Sequence, residues 1–111
     1  MSTYQEVPVD TRESPTEFVV VVPLGWVEKE SVQISLQGSE LTISWMRKGP
    51  QLKEQLVQKK ADCYWWAFQT TIQLPASSIY HTISSSLSPD NVLQVIVPKV
   101  YEPERIAVQI Q

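Results

Sequence analysis

The sequence is poor in the residues on which enzymes and metal proteins depend, with one cysteine and one histidine among its 111 residues. A single cysteine, Cys63, excludes an intrachain disulfide and is typical of a reducing compartment. Cys63 and His81 are the residue types of a nucleophile and its base, but no motif accompanies them and neither has partners at metal-ligand spacing. We therefore expect no catalytic residue, no cofactor site and no metal site.

The sequence also lacks a strong excess of charge and any long hydrophobic run. The net charge of -3 gives nucleic acid no general reason to bind. The N-terminus has neither the basic start nor the apolar stretch of a signal peptide, and no segment is long enough to span a bilayer. Basic residues between Arg47 and Lys60 are interpreted as a solvated loop face. These features predict a cytoplasmic protein without nucleic-acid or membrane partners.

What the sequence does contain is a repeated strand pattern. Hydrophobic residues make up 42% of the chain and charged residues 19%, which is enough apolar material for the core of one compact domain. The hydrophobic residues recur in short runs separated by Gly, Pro, Ser and Asp, and no stretch of useful length repeats with the period of a helix. The runs cover residues 17–22, 32–36, 41–45, 66–74, 80–84 and 91–97. This spacing predicts an all-β fold, an antiparallel immunoglobulin-like β-sandwich.

Individual runs and turns give sharper expectations. Run 17–22 is continuously apolar, which predicts a strand buried on both faces. In run 66–74, Trp66 and every second residue after it are expected to share one face. Gly38-Ser39 predicts a hairpin between runs 32–36 and 41–45. The segment 88–91, Ser-Pro-Asp-Asn, predicts a turn into the last strand.

The segment between Met46 and Tyr64 is long for a hairpin loop. It contains three apolar residues at no clear period, Leu52, Leu56 and Val57. One interpretation is a short helix. The favoured one is a loop carrying an extra strand that pairs with a neighbouring subunit, because Gly49-Pro50 opposes a continuous helix.

At the C-terminal end, residues that end the last strand are followed by a second apolar pattern. Pro98-Lys99 ends the last run, and Ile106, Val108 and Ile110 then alternate with other residues in a polar extension. In extended chain, either Val108 with Ile110 or Ile106 with Val108 would project to one side and enter paired pockets on another surface. The chain is thus divided into a short N-terminal segment (1–15), a β-sandwich (16–99) and a flexible C-terminal extension (100–111), and it is expected to dock onto other subunits.

The ordered set of motifs resembles the alpha-crystallin domain of the small heat-shock proteins. The motifs are the strand ending in Val-Pro-Leu-Gly at 22–25, the Val-x-Ile-x-Leu strand at 32–36, the segments 40–43 and 68–75, the run 91–99 and the Ile/Val-x-Ile/Val triplet in the tail. This resemblance implies an ATP-independent stress-response chaperone that holds partly unfolded proteins, as a homodimer or a higher oligomer. Many members carry an arginine where this chain has Thr70 and Thr71, so an arginine-based dimer contact is not implied.

A groove for the tail follows as a hypothesis from the resemblance. Its predicted lining, which would also contact clients, is Val32, Ile34, Leu36, Ile79 and Ile83. The alternative is that these residues are ordinary core. Two rival functions keep the same sandwich: a co-chaperone adaptor of the CS type, usually monomeric and without a docking triplet, and a rigid structural scaffold subunit.

Overall fold

The computed structural model describes residues 5–47, 49, 51–61 and 66–101. Within these residues the chain forms eight strands and two short 3₁₀ turns, at Lys29–Ser31 and Tyr80–Thr82. The strands are β1 (Gln5–Glu6), β2 (Asp10–Glu13), β3 (Glu17–Pro23), β4 (Gln33–Gln37), β5 (Glu40–Arg47), β6 (Trp66–Gln73), β7 (Ser84–Leu87) and β8 (Val92–Pro98).

The strands form two four-stranded sheets that pack face to face. One sheet has the order β1-β6-β5-β4 and the other has the order β2-β3-β8-β7. All pairings are antiparallel except that of β1 with β6, which is parallel. The predicted all-β sandwich is therefore confirmed, with a short parallel strand added at one edge.

The core follows from alternation along the strands. In β5, Leu41, Ile43 and Trp45 are almost fully buried, and the Trp45 ring stacks on Phe68 of β6 with centroids 5.8 Å apart. Each fully buried large apolar side chain stabilises the fold by about 1.5–3 kcal/mol relative to exposure. The remaining core side chains are Phe18, Val20, Val22, Leu24, Ile72, Leu74, Leu93, Val95 and Val97.

Two predicted turns are confirmed, and each uses a residue that tolerates positive φ. Gly38 has φ +62° and joins β4 to β5, whose ends pair at Gln37 and Glu40. Asn91 has φ 63° and donates its backbone N–H to the Ser88 carbonyl at 2.9 Å. Asparagine accepts this geometry more readily than most residues, so the turn into β8 forms without a glycine.

Two strand predictions need correction. The run 17–22 forms β3, but only Phe18, Val20 and Val22 are buried, while Val19 and Val21 are half-buried on the outer face. A two-layer sandwich leaves the outer face of each sheet partly open to solvent, so apolar residues there gain less burial. Residues 80–82, predicted as strand, form a 3₁₀ turn, and β7 begins only at Ser84.

Trp66 also departs from its prediction. It is 58% exposed and has φ 85°, which takes its side chain out of the alternation that buries Phe68. Arg47 of β5 is the register partner of Trp66. The Arg47 guanidinium lies 4.1 Å from the centre of the Phe68 ring, and its Nε donates a hydrogen bond to the Leu24 carbonyl at 2.8 Å. Arg47 is therefore half-buried against the core and is not part of a solvated loop face.

One side of the sandwich is closed by the N-terminal part of the chain. Val7, Pro8 and Val9 connect β1, at the edge of one sheet, to β2, at the edge of the other. Val7 and Val9 are partly buried and pack against the core, whereas Pro8 between them is exposed. Two apolar residues two positions apart thus close this side from within the same chain.

Candidate functional site

A groove of about 300 Å³ lies between the edge strands β4 and β7, on the side of the sandwich away from Val7 and Val9. Its lining comes from both sheets and from the 3₁₀ turn before β7: Ile34, Ser35, Leu36, Leu41, Tyr80, Ile83, Ser84 and Ser85.

The floor of the groove follows from the alternation in β4. Ile34 and Leu36 are two positions apart and therefore project to the same side of the strand. Leu36 pairs in register with Leu41 of β5, which is buried, but β4 is the last strand of its sheet. Leu36 remains 38% exposed, because among the described residues no further strand covers it.

The opposite wall depends on the 3₁₀ turn. The backbone N–H of Ile79 donates to the Pro98 carbonyl at 2.7 Å, and that of Ile83 donates to the Tyr80 carbonyl at 3.4 Å. These bonds hold the turn beside the end of β8 and place Tyr80 and Ile83 in the groove. Tyr80 was missed because the alternation of Tyr80, Thr82 and Ser84 indicates a strand.

Among the described residues, the lining of the groove contains no charged side chain and consists of aliphatic residues, one tyrosine and serines. Both walls are sheet edges, and such strands carry backbone N–H and C=O groups on the side away from their single neighbour. An extended apolar segment fits this environment, since it could bury alternate side chains and satisfy edge hydrogen bonds.

Part of the predicted lining is found in the groove. Ile34, Leu36 and Ile83 line it, whereas Val32 and Ile79 are absent from the lining. Val32 directly follows the turn Lys29–Ser31 and packs against the core, and the backbone of Ile79 is bonded to β8.

The segment between Met46 and Tyr64 was predicted to pair with a neighbouring subunit, and the structure describes its residues 47, 49 and 51–61. Residues 49 and 51–61 form no helix and no strand, and the backbone N–H of Leu56 donates to the Lys53 carbonyl at 3.1 Å in a turn. Leu52, Leu56 and Val57 are between 62% and 75% exposed. Cys63, also singled out in the sequence, lies outside the described residues.

The C-terminal extension leaves the sandwich from a fixed point. The backbone N–H of Lys99 donates to the Thr16 carbonyl at 2.9 Å. The Nζ atom of Lys99 lies 2.7 Å from Glu13 Oε1, and the Lys99 side chain is only 2% exposed. Val100 N–H donates to the Ser77 carbonyl at 2.9 Å, three residues before Tyr80. The predicted docking residues Ile106, Val108 and Ile110 lie outside the described residues.

Other kinds of site have little support in the described part of the chain. His81 is exposed in the 3₁₀ turn, and no three described His, Cys, Asp or Glu residues come together as a metal site would require. No helix among the described residues is long and apolar enough to cross a membrane.

A sandwich of two largely antiparallel sheets, with an open groove between edge strands, is the architecture of an alpha-crystallin-type domain. Residues 10–111 match the model of the Hsp20/alpha crystallin family, and the chain belongs to that family of small heat-shock chaperones. No curated protein sequence matches the chain.

Solved structures agree with this assignment. Heat shock protein 16.0 from Schizosaccharomyces pombe has 27% sequence identity and a TM-score of 0.73, over 92% of this chain and 96% of that chain. A small heat-shock protein from Xylella fastidiosa, described as having a distinct high order structure, has 25% identity and a TM-score of 0.70, over 93% and 95%. HSP18.5 from E. histolytica is 15% identical over 96% and 99%, and its TM-score of 0.72 shows a shared fold.

Proposed function

We propose that this chain is an ATP-independent holdase that binds partly unfolded proteins, prevents their aggregation and assembles with copies of itself. The observation that carries the proposal is the uncharged groove between β4 and β7, left open in a chain whose tail contains alternating apolar residues. Membership of the Hsp20/alpha crystallin family supports the chaperone role.

The tail of one copy docks in the groove of another copy. Val108 with Ile110, or Ile106 with Val108, enters beside Ile34, Leu36 and Ile83. The closed side of the same sandwich supports this mode, because Val7 and Val9 already pack against the core with the same spacing. Two buried anchors contribute roughly 3–6 kcal/mol before costs, and ordering the tether opposes this by about 1–2 kcal/mol per fixed residue. Each docked tail is therefore weak and exchangeable, and several acting together hold an assembly.

The loop makes a second contact between copies. Leu52, Leu56 and Val57 are too exposed to belong to the core of their own chain. The edge strand β2 of a second copy is a suitable receiver, since its four residues are exposed and β3 is its one neighbour among the described strands.

Client binding follows from the exchange of tails. When a tail leaves the groove, Leu36 and Tyr80 become accessible as a narrow apolar surface. Extended apolar segments of an unfolding protein resemble the tail and would occupy the same place. No step requires ATP, because the tail and the client compete for the same groove and their relative affinities determine how much client is bound.

Light scattering from a heat-labile enzyme, warmed with increasing amounts of the full chain and no ATP, tests the holdase role. We expect scattering to be suppressed at near-stoichiometric ratios, while an equal mass of an unrelated soluble protein leaves it unchanged. Full aggregation at about fivefold excess of the chain would contradict the holdase role and favour an adaptor or scaffold.

A further inference from the structure

The floor of the groove is short. On β4 it is formed by Ile34 and Leu36, two positions apart, which corresponds to about 6.7 Å along a strand. On the opposite wall, Ile83, Ser84 and Ser85 span a similar length. A groove of these dimensions holds two alternate side chains of an extended segment at a time.

The tail offers more anchors than the groove can hold. Ile106, Val108 and Ile110 occupy three alternate positions, so they form two overlapping pairs that share Val108. Each pair buries one isoleucine and one valine. The residue between the anchors is Ala107 in one pair and Gln109 in the other, and both are uncharged. Because the described lining of the groove carries no charge, it gives neither middle residue an electrostatic advantage.

We infer that the tail docks in two registers of similar affinity, one using Ile106 with Val108 and the other using Val108 with Ile110. This inference rests on the proposed docking of the tail in the groove. The tether from Tyr101 to the first anchor is residues 102–105 in the first register and 102–107 in the second. Two further extended residues lengthen the reach by about 7 Å. One sequence can thus join grooves at two separations, which favours assemblies of more than one size.

Binding of labelled peptides tests the two registers. The receptor is the full chain carrying Val108→Gly and Ile110→Gly, so that its own tail cannot fill the groove with a pair of anchors. The ligand is a fluorescein-labelled peptide of residues 102–111, measured by fluorescence anisotropy. Variant peptides carry Ile106→Gly, Val108→Gly or Ile110→Gly. Ala107→Gly is the matched control, because it adds a glycine at a position that neither register buries.

Two registers predict a distinctive pattern of affinities. Ile106→Gly and Ile110→Gly each remove one of two equivalent modes, so each weakens binding about twofold. Val108→Gly removes an anchor from both modes and weakens binding roughly tenfold or more. Ala107→Gly leaves the affinity close to that of the unaltered peptide.

The contrary outcomes are distinguishable. If one isoleucine variant is as weak as Val108→Gly and the other binds normally, the tail has a single register and the inference is wrong, while the docking proposal stands. If the unaltered peptide does not bind, the docking proposal itself is wrong and the inference falls with it.

Discussion

One side of the sandwich is closed by its own chain, whereas the opposite side is left as a groove. On the closed side, Val7 and Val9 cross between the sheets and pack against the core. On the groove side, Leu36 and Tyr80 are each 38% exposed at the surface between β4 and β7. The closed side contributes to the folding of one chain, and under the proposed function the groove is the surface that another chain occupies.

The largest effect on folding is expected from opening the closed side. Val7→Ala together with Val9→Ala removes partly buried methyl groups from the core and should lower the free energy of unfolding by about 2 kcal/mol. Urea denaturation measures this change. Pro8→Ala is the matched control, because the Pro8 side chain is exposed and its loss should cost less than about 1 kcal/mol. Equal losses from both changes would show that Val7 and Val9 do not close this side.

The sequence predicts the closed side less well than the strands of the core. Alternation identified the core residues of β5 and most of those of β6, because side chains on a half-buried strand repeat every second residue. The apolar runs that form β3 and β8 predicted strands there but did not separate their two faces. Val7 and Val9 fall in a segment that reads as a short polar N-terminus. Their role depends on a crossing between sheets, which two valines around a proline do not indicate.

The lining of the groove could also be predicted only where it depends on alternation along a strand. Ile34 and Leu36 were identified because β4 alternates, but Tyr80 was missed because a 3₁₀ turn stands where alternation indicates a strand. The bond from Ile79 to the Pro98 carbonyl that accompanies this turn is a contact between distant parts of the chain. Likewise, the exposed Trp66 has a positive φ of 85°, which the alternation of its run does not indicate.

A smaller effect on folding is expected from the groove side. Leu36→Ala should lower the free energy of unfolding by only about 1 kcal/mol, since the side chain is already substantially exposed. It should nevertheless weaken tail docking and reduce the average mass of the assembly. Gln37→Ala, at the exposed end of the same strand, is the control and should change neither property. If Leu36→Ala left the mass of the assembly unchanged, this would contradict the proposal that the groove side serves assembly and the closed side serves folding.

Native mass spectrometry of the full chain tests the central claim most directly. The unaltered chain should form assemblies larger than a dimer. Val108→Gly with Ile110→Gly removes both anchors of one possible pair and one anchor of the other, so neither pair remains complete, and it should leave mainly dimers, held by the loop contact. The control, Ala107→Gly with Gln109→Gly, adds the same number of glycines at positions facing away from the groove and should retain the large assemblies. The same mass for all three proteins would contradict the account, because assembly would then not depend on docking of the tail.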